Sequence, residues 1–169
     1  MRGVDEPYQR WQKRPSFTTR DGKRLYPLYA PAYAGQANHV RVFDRDVDPT
    51  DTAVEYALLK HRVAFLDWFE VTISVVDTHP DWQEQGIGRH MLGLAKKEEP
   101  RLRHAPCAQR SEKGELFVRG TDPDEACRGN CGPGCRDWAS QIGMPGGGDS
   151  PDSVRPLPLR ERFGKFLGL

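Results

Sequence analysis

Two stretches of this chain carry residues whose types and spacing could do chemistry. The first is Gln83-Glu84-Gln85-Gly86-Ile87-Gly88-Arg89. Glycine lets a backbone turn tightly and approach a ligand with no Cβ in the way. A helix that starts here directs unpaired N–H groups, backed by the positive end of its dipole, at whatever lies in front. Phosphate or pyrophosphate is the natural occupant, and Arg89 would add charge. A P-loop is excluded, because Arg89-His90 follow Gly88 where Lys and then Ser or Thr are needed. The three-glycine dinucleotide fingerprint has no frame here either. The second stretch is Cys127-x3-Cys131-x3-Cys135, with His104 and Cys107 upstream. Three thiols plus one more Cys or His can make a tetrahedral zinc site. Gly129, Gly132, Pro133 and Gly134 make the segment a loop rather than a helix face. The spacing is neither a Cys-x-x-Cys knuckle nor the Cys-x3-Cys-x2-Cys of a radical-type iron–sulfur protein. The same residues read more readily as free thiols, so no metal ligand is assigned and zinc stands as an option only.

The elements that must position these residues follow from the hydrophobic pattern. Val71 to Asp77 is rich in β-branched residues and reads as a buried strand. A polar turn (Thr78 to Asp81) and the glycine loop come next, then an amphipathic run with Met91, Leu92 and Leu94. The sequence therefore gives strand, glycine loop, helix, with the helix ending near Glu99-Pro100. Upstream, Arg24 to Ala30 reads as a short strand that Pro27 assigns to an edge, and His39 to Phe43 as a second. Thr52 to Glu55 has the form of a capping box that would start a helix through Leu59. Val54–Leu59 and Val63–Phe69 read equally as two strands turning at Lys60 to Arg62. No Gly, Asn or Pro separates Phe69 from Val71, which requires either a very tight hairpin or a missing strand. Downstream, Glu115 to Arg119 reads as a further strand.

The pattern Gln83-x-x-Gly86-x-Gly88, set between a hydrophobic strand and a Leu-bearing helix with Trp82 just ahead, resembles motif A of the GNAT-type N-acetyltransferases. The resemblance covers about Val63 to Met144. It implies an α/β fold: a mixed, mostly antiparallel sheet with helices on both faces. It implies acetyl-CoA as cosubstrate, the pyrophosphate cradled by backbone N–H groups of Glu84, Gln85, Gly86, Ile87, Gly88 and Arg89. Backbone groups of Val76, Asp77 and Thr78 would pair with the pantetheine amides as an added strand would. In the family the next strand lies parallel to the motif strand and splays from it to admit that arm; 115–119 is its expected place. Some members carry a base on the motif strand where this chain has Thr72; Glu70, two residues earlier and on the same strand face, is the candidate base, with Asp67 and His61 behind it. A Tyr that often serves as acid in the second helix is replaced by Trp138 near Gly143-Met144. If zinc bound, it would staple the loop ahead of that helix.

The chain has 169 residues with a formal net charge of +1, which gives no electrostatic case for nucleic acid or an anionic membrane. No apolar run reaches the eighteen or so residues of a membrane span, and Met1 to Arg14 has no apolar signal region. The expectation is a cytoplasmic protein with an N-terminal arm (1–23), an acetyltransferase-like domain (24–144) and a Pro/Gly-rich linker and tail (145–169). Its expected activity is direct acetyl transfer from acetyl-CoA to a small-molecule or peptide amine. The oligomeric state is left open, a homodimer included. The rival expectation, motivated by the displaced Glu, the absent Tyr and the Cys loop, is a non-catalytic GNAT-like or zinc-stapled binding module.

Overall fold

The computed structural model describes residues 10–129 together with Cys131 and Cys135. The expected second helix around Trp138, the linker and the tail lie outside the described residues. Among those described, the chain forms an α/β fold of six strands and three α-helices: β1 (Gln12–Lys13), β2 (Phe17–Thr18), β3 (Arg24–Ala30), β4 (Asn38–Phe43), α1 (Asp51–Lys60), β5 (Arg62–Phe69), β6 (Thr72–Thr78), α2 (Ile87–Glu98) and α3 (Glu112–Thr121). The strands are ordered β1-β3-β4-β5-β6, with β2 also on β3, and every strand pair is antiparallel.

Side chains alternate across the sheet, and the two faces bury separate clusters. Leu25, Tyr29, Val40, Val42, Leu66 and Trp68 face α2 and pack with its Ile87, Met91, Leu92 and Ala95. Leu28 and Phe43 face the other way and pack with Val54 and Ala57 of α1. Helices thus cover both faces. Trp68, 1% exposed, stacks on Tyr29 with ring centroids 5.8 Å apart, and burial of each such large apolar side chain contributes about 2–3 kcal/mol.

Of the stretch set apart in the sequence as an arm, residues 12–13 and 17–18 pair with β3. Pro27 therefore does not mark an edge strand. It falls between the registers of β1 and β2, where its carbonyl accepts from Arg14 N–H (3.0 Å) and no N–H is required of it. The ambiguous stretch is a helix over 51–60 followed by a strand over 62–69. Val54 and Ala57, three apart, bury one helical face. The capping box is not used: Thr50 is the N-cap and makes no side-chain cap bond. The turn between β5 and β6 is the tight hairpin, two residues long, with Glu70 in the left-handed region at φ 51°.

The strand expected at 115–119 is instead the body of α3. Ser111 Oγ caps it by accepting from Gly114 N–H (3.1 Å), and Glu115 and Val118, three apart, are its buried positions. The parallel neighbour of β6 lies earlier in the chain. Ile73 N–H donates to Arg103 C=O (3.0 Å) and Arg103 N–H to Val71 C=O (2.9 Å), forming a parallel bridge between Thr72 and Arg103.

Candidate functional site

The glycine loop joins the end of β6 to α2. Pro80–Trp82 makes a single 3-10 turn, and Gln83 closes it by donating from Nε2 to Thr78 C=O (3.2 Å). Glu84 and Gly86 are left-handed, at φ 62° and 82°. Gly86 is the N-cap of α2, a position that glycine occupies without the steric cost other residues meet. Gly88 is glycine for a different reason: a Cβ there would stand 2.8 Å from Cε2 of Phe117. The β2–β3 turn holds the loop from outside. Arg20 Nη1 donates to Glu84 C=O (3.2 Å), and Asp21 N–H to Gln85 Oε1 (3.1 Å).

Between that turn and the start of α2 lies a cavity of about 300 Å³, lined by Thr18, Arg20, Gln85, Gly86, Arg89 and His90. The first turn of α2 holds no acidic residue. Instead Arg89 stands there, its Nη2 donating to Gly120 C=O (3.0 Å). Cations beside a helix N-terminus add to the positive end of the dipole rather than oppose it. The lining thus carries two cations, Arg20 and Arg89, and no carboxylate.

A groove runs along the outer edge of β6. Beyond the bridge at Thr72 and Arg103, no strand among the described residues pairs with that edge. The far wall is the 104–111 segment and α3, and the space between is about 270 Å³, lined on one side by Ile73 to Val76 and on the other by His104, Gly114, Phe117 and Val118. His104 is 6% exposed, sits edge-on to Phe117 at 5.6 Å, and its buried Nε2 has no hydrogen-bond partner among the described residues. Burial pushes its pKa below the ordinary histidine value against the attraction of Glu125, so the ring faces the groove region neutral.

The residues singled out in the sequence distribute as follows. Val76 lines the groove, with Asp77 and Thr78 continuing the same strand toward the loop. Gln85, Gly86 and Arg89 line the mouth; Glu84 is bonded to Arg20 beside it. Ile87 is core at 2% exposure. Glu70 stands exposed at the hairpin tip, outside the groove lining and at the opposite end of β6 from the loop. Asp67 and His61 are engaged elsewhere. Asp67 pairs with Arg41, and with His39 Nδ1 at 3.0 Å; burial raises its pKa, but those two partners outweigh it and hold the carboxyl below its ordinary value. His61 Nδ1 lies 3.2 Å from Asp44. Arg20 and Phe117 escaped the sequence reading, since each reaches the loop only through tertiary packing.

All four cysteines of the chain converge. Their Sγ atoms lie within 4.8 Å of one another, with separations of 3.5 Å for Cys107–Cys135, 3.2 Å for Cys127–Cys135, 3.5 Å for Cys127–Cys131 and 3.6 Å for Cys131–Cys135. None is disulfide-bonded, and an S–S bond would need about 2.05 Å. Cys107 opens a 3-10 turn ahead of α3, and Cys127 follows another behind it. Burial pushes the Cys127 thiol up to about 12 and raises Cys107. Cys131, exposed and hydrogen-bonded to the backbone of Arg128, falls to about 7.

Comparison of the chain with family models, with curated proteins and with solved structures gives no match.

Proposed function

We propose that this chain binds an acyl-coenzyme A thioester along the β6 groove and at the α2 N-terminus and passes the acyl group to an amine, as GNAT-type N-acetyltransferases do. The observation that carries the reading is the course of β6. It is bridged in parallel at Arg103, left open beyond, and delivered at its far end into a left-handed glycine N-cap flanked by Arg20 and Arg89. β6, the glycine loop, α2 and the parallel bridge at Arg103 come in the order the resemblance implies, the bridge lying ahead of the 115–119 segment expected to form that strand.

The residues present suit such a ligand. The two cavities, of about 270 and 300 Å³, share no lining residue; each is near the lower end of small-molecule sites, and the ligand must extend from one to the other. The main chain at Val76 to Thr78, unpaired on its outer edge by any strand among the described residues, offers N–H and C=O groups to amides by edge addition, apart from the Thr78 C=O that accepts from Gln83. Backbone N–H groups from Glu84 to Arg89, with the two arginines, hold a pyrophosphate. Phe117 and Val118 give the arm an apolar wall. When bound, the thioester supplies an activated acyl carbon. Glu70, the base expected from the sequence, stands in the β5–β6 turn outside the groove lining rather than on the strand face, so no carboxylate of the groove is assigned as base and an ammonium acceptor would lose its proton to solvent.

The test is titration of the protein with coenzyme A and acetyl-CoA, followed by thiol release against a panel of small and peptide amines. A ligand that binds only the folded state at about a hundred times its Kd stabilises by about 2.7 kcal/mol, and a rise in Tm of that order is expected. Thiol release that depends on the amine is expected too. No shift at millimolar coenzyme A would end this reading, and binding without turnover would leave only a non-catalytic version.

A further inference from the structure

We propose that Cys107, Cys127, Cys131 and Cys135 hold one zinc ion as a closed tetrathiolate site that fastens the chain on both sides of α3. A zinc–thiolate bond of about 2.3 Å places the sulfurs of a tetrahedron about 3.8 Å apart. The four separations of 3.2–3.6 Å fall slightly inside that edge length. A set of sulfurs all within 4.8 Å has room for a single ion, not for a polynuclear cluster with a thiolate on each iron. The donor set is all sulfur, which selects zinc over the hard cations, and four protein ligands leave no open position. The role is structural.

The surroundings hold the ligands from behind. Glu115 is completely buried, and its Oε1 accepts from Cys127 N–H (2.8 Å) while its Oε2 accepts from Arg110 Nη1 (2.8 Å). Arg110 also donates to Ala105 C=O (2.7 Å) and Glu125 C=O (2.9 Å), and Arg119 to Cys127 C=O (2.8 Å). The Arg110–Glu115–Arg119 network thus binds the backbone next to Cys107 to the backbone next to Cys127. Outer contacts of this kind orient ligands and tune a metal. The Arg110–Glu115–Arg119 network, with two cations and one carboxylate, carries a net +1 that offsets part of the net −2 charge of a zinc ion with four thiolates.

Two of the four sulfurs are buried, and burial disfavours their ionisation. A dication makes ionisation favourable: each thiol loses its S–H proton to solvent as its Zn–S bond forms, so binding releases protons and weakens in acid. Since α3 supplies the groove's far wall, the zinc fixes that wall, but metal content itself does not depend on what the groove binds.

The experiment is elemental analysis of the full-length chain purified from zinc-supplemented culture, alongside Cys131→Ser and cobalt reconstitution of the chelator-stripped parent. Expected are about one zinc per chain, a loss of at least two-thirds of it in Cys131→Ser, and intense thiolate-to-cobalt and tetrahedral d–d absorption that zinc displaces. Because Cys131 is exposed, this variant is the one least apt to unfold; cobalt binding by the parent tests the site without any variant. Less than about a tenth of an equivalent of zinc with no thiolate–cobalt absorption overturns the proposal. So do stoichiometric iron in place of zinc, or a native mass showing the four thiols paired as disulfides.

Discussion

A Cβ at position 88 would lie 2.8 Å from Cε2 of Phe117, so the first turn of α2 and the side chain of Phe117 from α3 share space that glycine alone leaves free. A short-chain contact this close forces the ring to move, and overpacking of this kind costs about 1–3 kcal/mol. Gly88→Ala should therefore lower the free energy of unfolding, measured in urea, by that amount. Gly93, in the same helix, has nothing within 4 Å of where its Cβ would stand. There alanine should stabilise by up to about 1 kcal/mol through helix propensity. Equal effects at both positions would show that Phe117 does not pack against α2 in solution.

The contrast between these glycines shows what was legible in the sequence and what was not. Strand, glycine loop and helix from Val71 onward could be read because β-branched residues and then an amphipathic period follow one another locally. The αL need at Gly86 fits that reading. The reason for Gly88 could not be read, since it comes from α3, which the alternation in Glu115-Leu-Phe-Val-Arg119 disguised as a strand. A buried glutamate is not expected without partners, and Arg110 and Arg119 are partners only once the chain has folded. The thiols divide in the same way. The even spacing of Cys127, Cys131 and Cys135 is visible, whereas Cys107 joins them because α3 folds back between the two segments. The one local clue was that the chain has four cysteines in all, the number a closed tetrahedral site uses.

Glu115 is the point on which two buried arginine contacts and one amide depend. Its removal leaves Arg110, whose side chain is 7% exposed, without its carboxylate, and Cys127 N–H without an acceptor. Breaking a buried pair from one side costs about 3–5 kcal/mol. Glu115→Ala should lose about that much in chemical denaturation. Glu115→Gln keeps an acceptor for Cys127 N–H and should lose distinctly less. A change under 1 kcal/mol for alanine would mean that the network holds no stability.

Arg20 and Arg89 make a second, separable prediction about the mouth at α2. Both side chains are at the surface, so their contribution to folding should be small. Replacing both with alanine should leave the Tm within a few degrees while weakening coenzyme A binding by roughly tenfold or more at low ionic strength. The gap between parent and variant should narrow as salt rises, because exposed charges are screened over about 10 Å at 0.1 M. Titration calorimetry at two salt concentrations checks this, and an unchanged Kd at low salt would remove the two arginines from the site.

Acid should destabilise this fold in two separable stages. His104 is held neutral, first by burial, so its folded pKa lies below the unfolded value of about 6.5. Glu125 and Asp122 pull the other way, and Arg110 and Lys96 reinforce the burial. In the unfolded chain the ring takes up its proton near pH 6.5, so the unfolded state binds more protons and folding loses stability as pH falls from that value through the lower, folded pKa. Asp67 is also depressed, by His39 and Arg41 against burial; its contribution is complete above the unfolded carboxyl value of about 3.9 and is lost only as pH falls below it. His104→Gln should therefore flatten the stability profile as pH falls from about 6.5 and leave the fall below about pH 4 intact. Asp67→Asn should do the reverse. Urea unfolding from about pH 2 to 8 distinguishes them, and a His104→Gln profile parallel to the parent's just below about pH 6.5 would show that the histidine is not buried neutral in the groove wall.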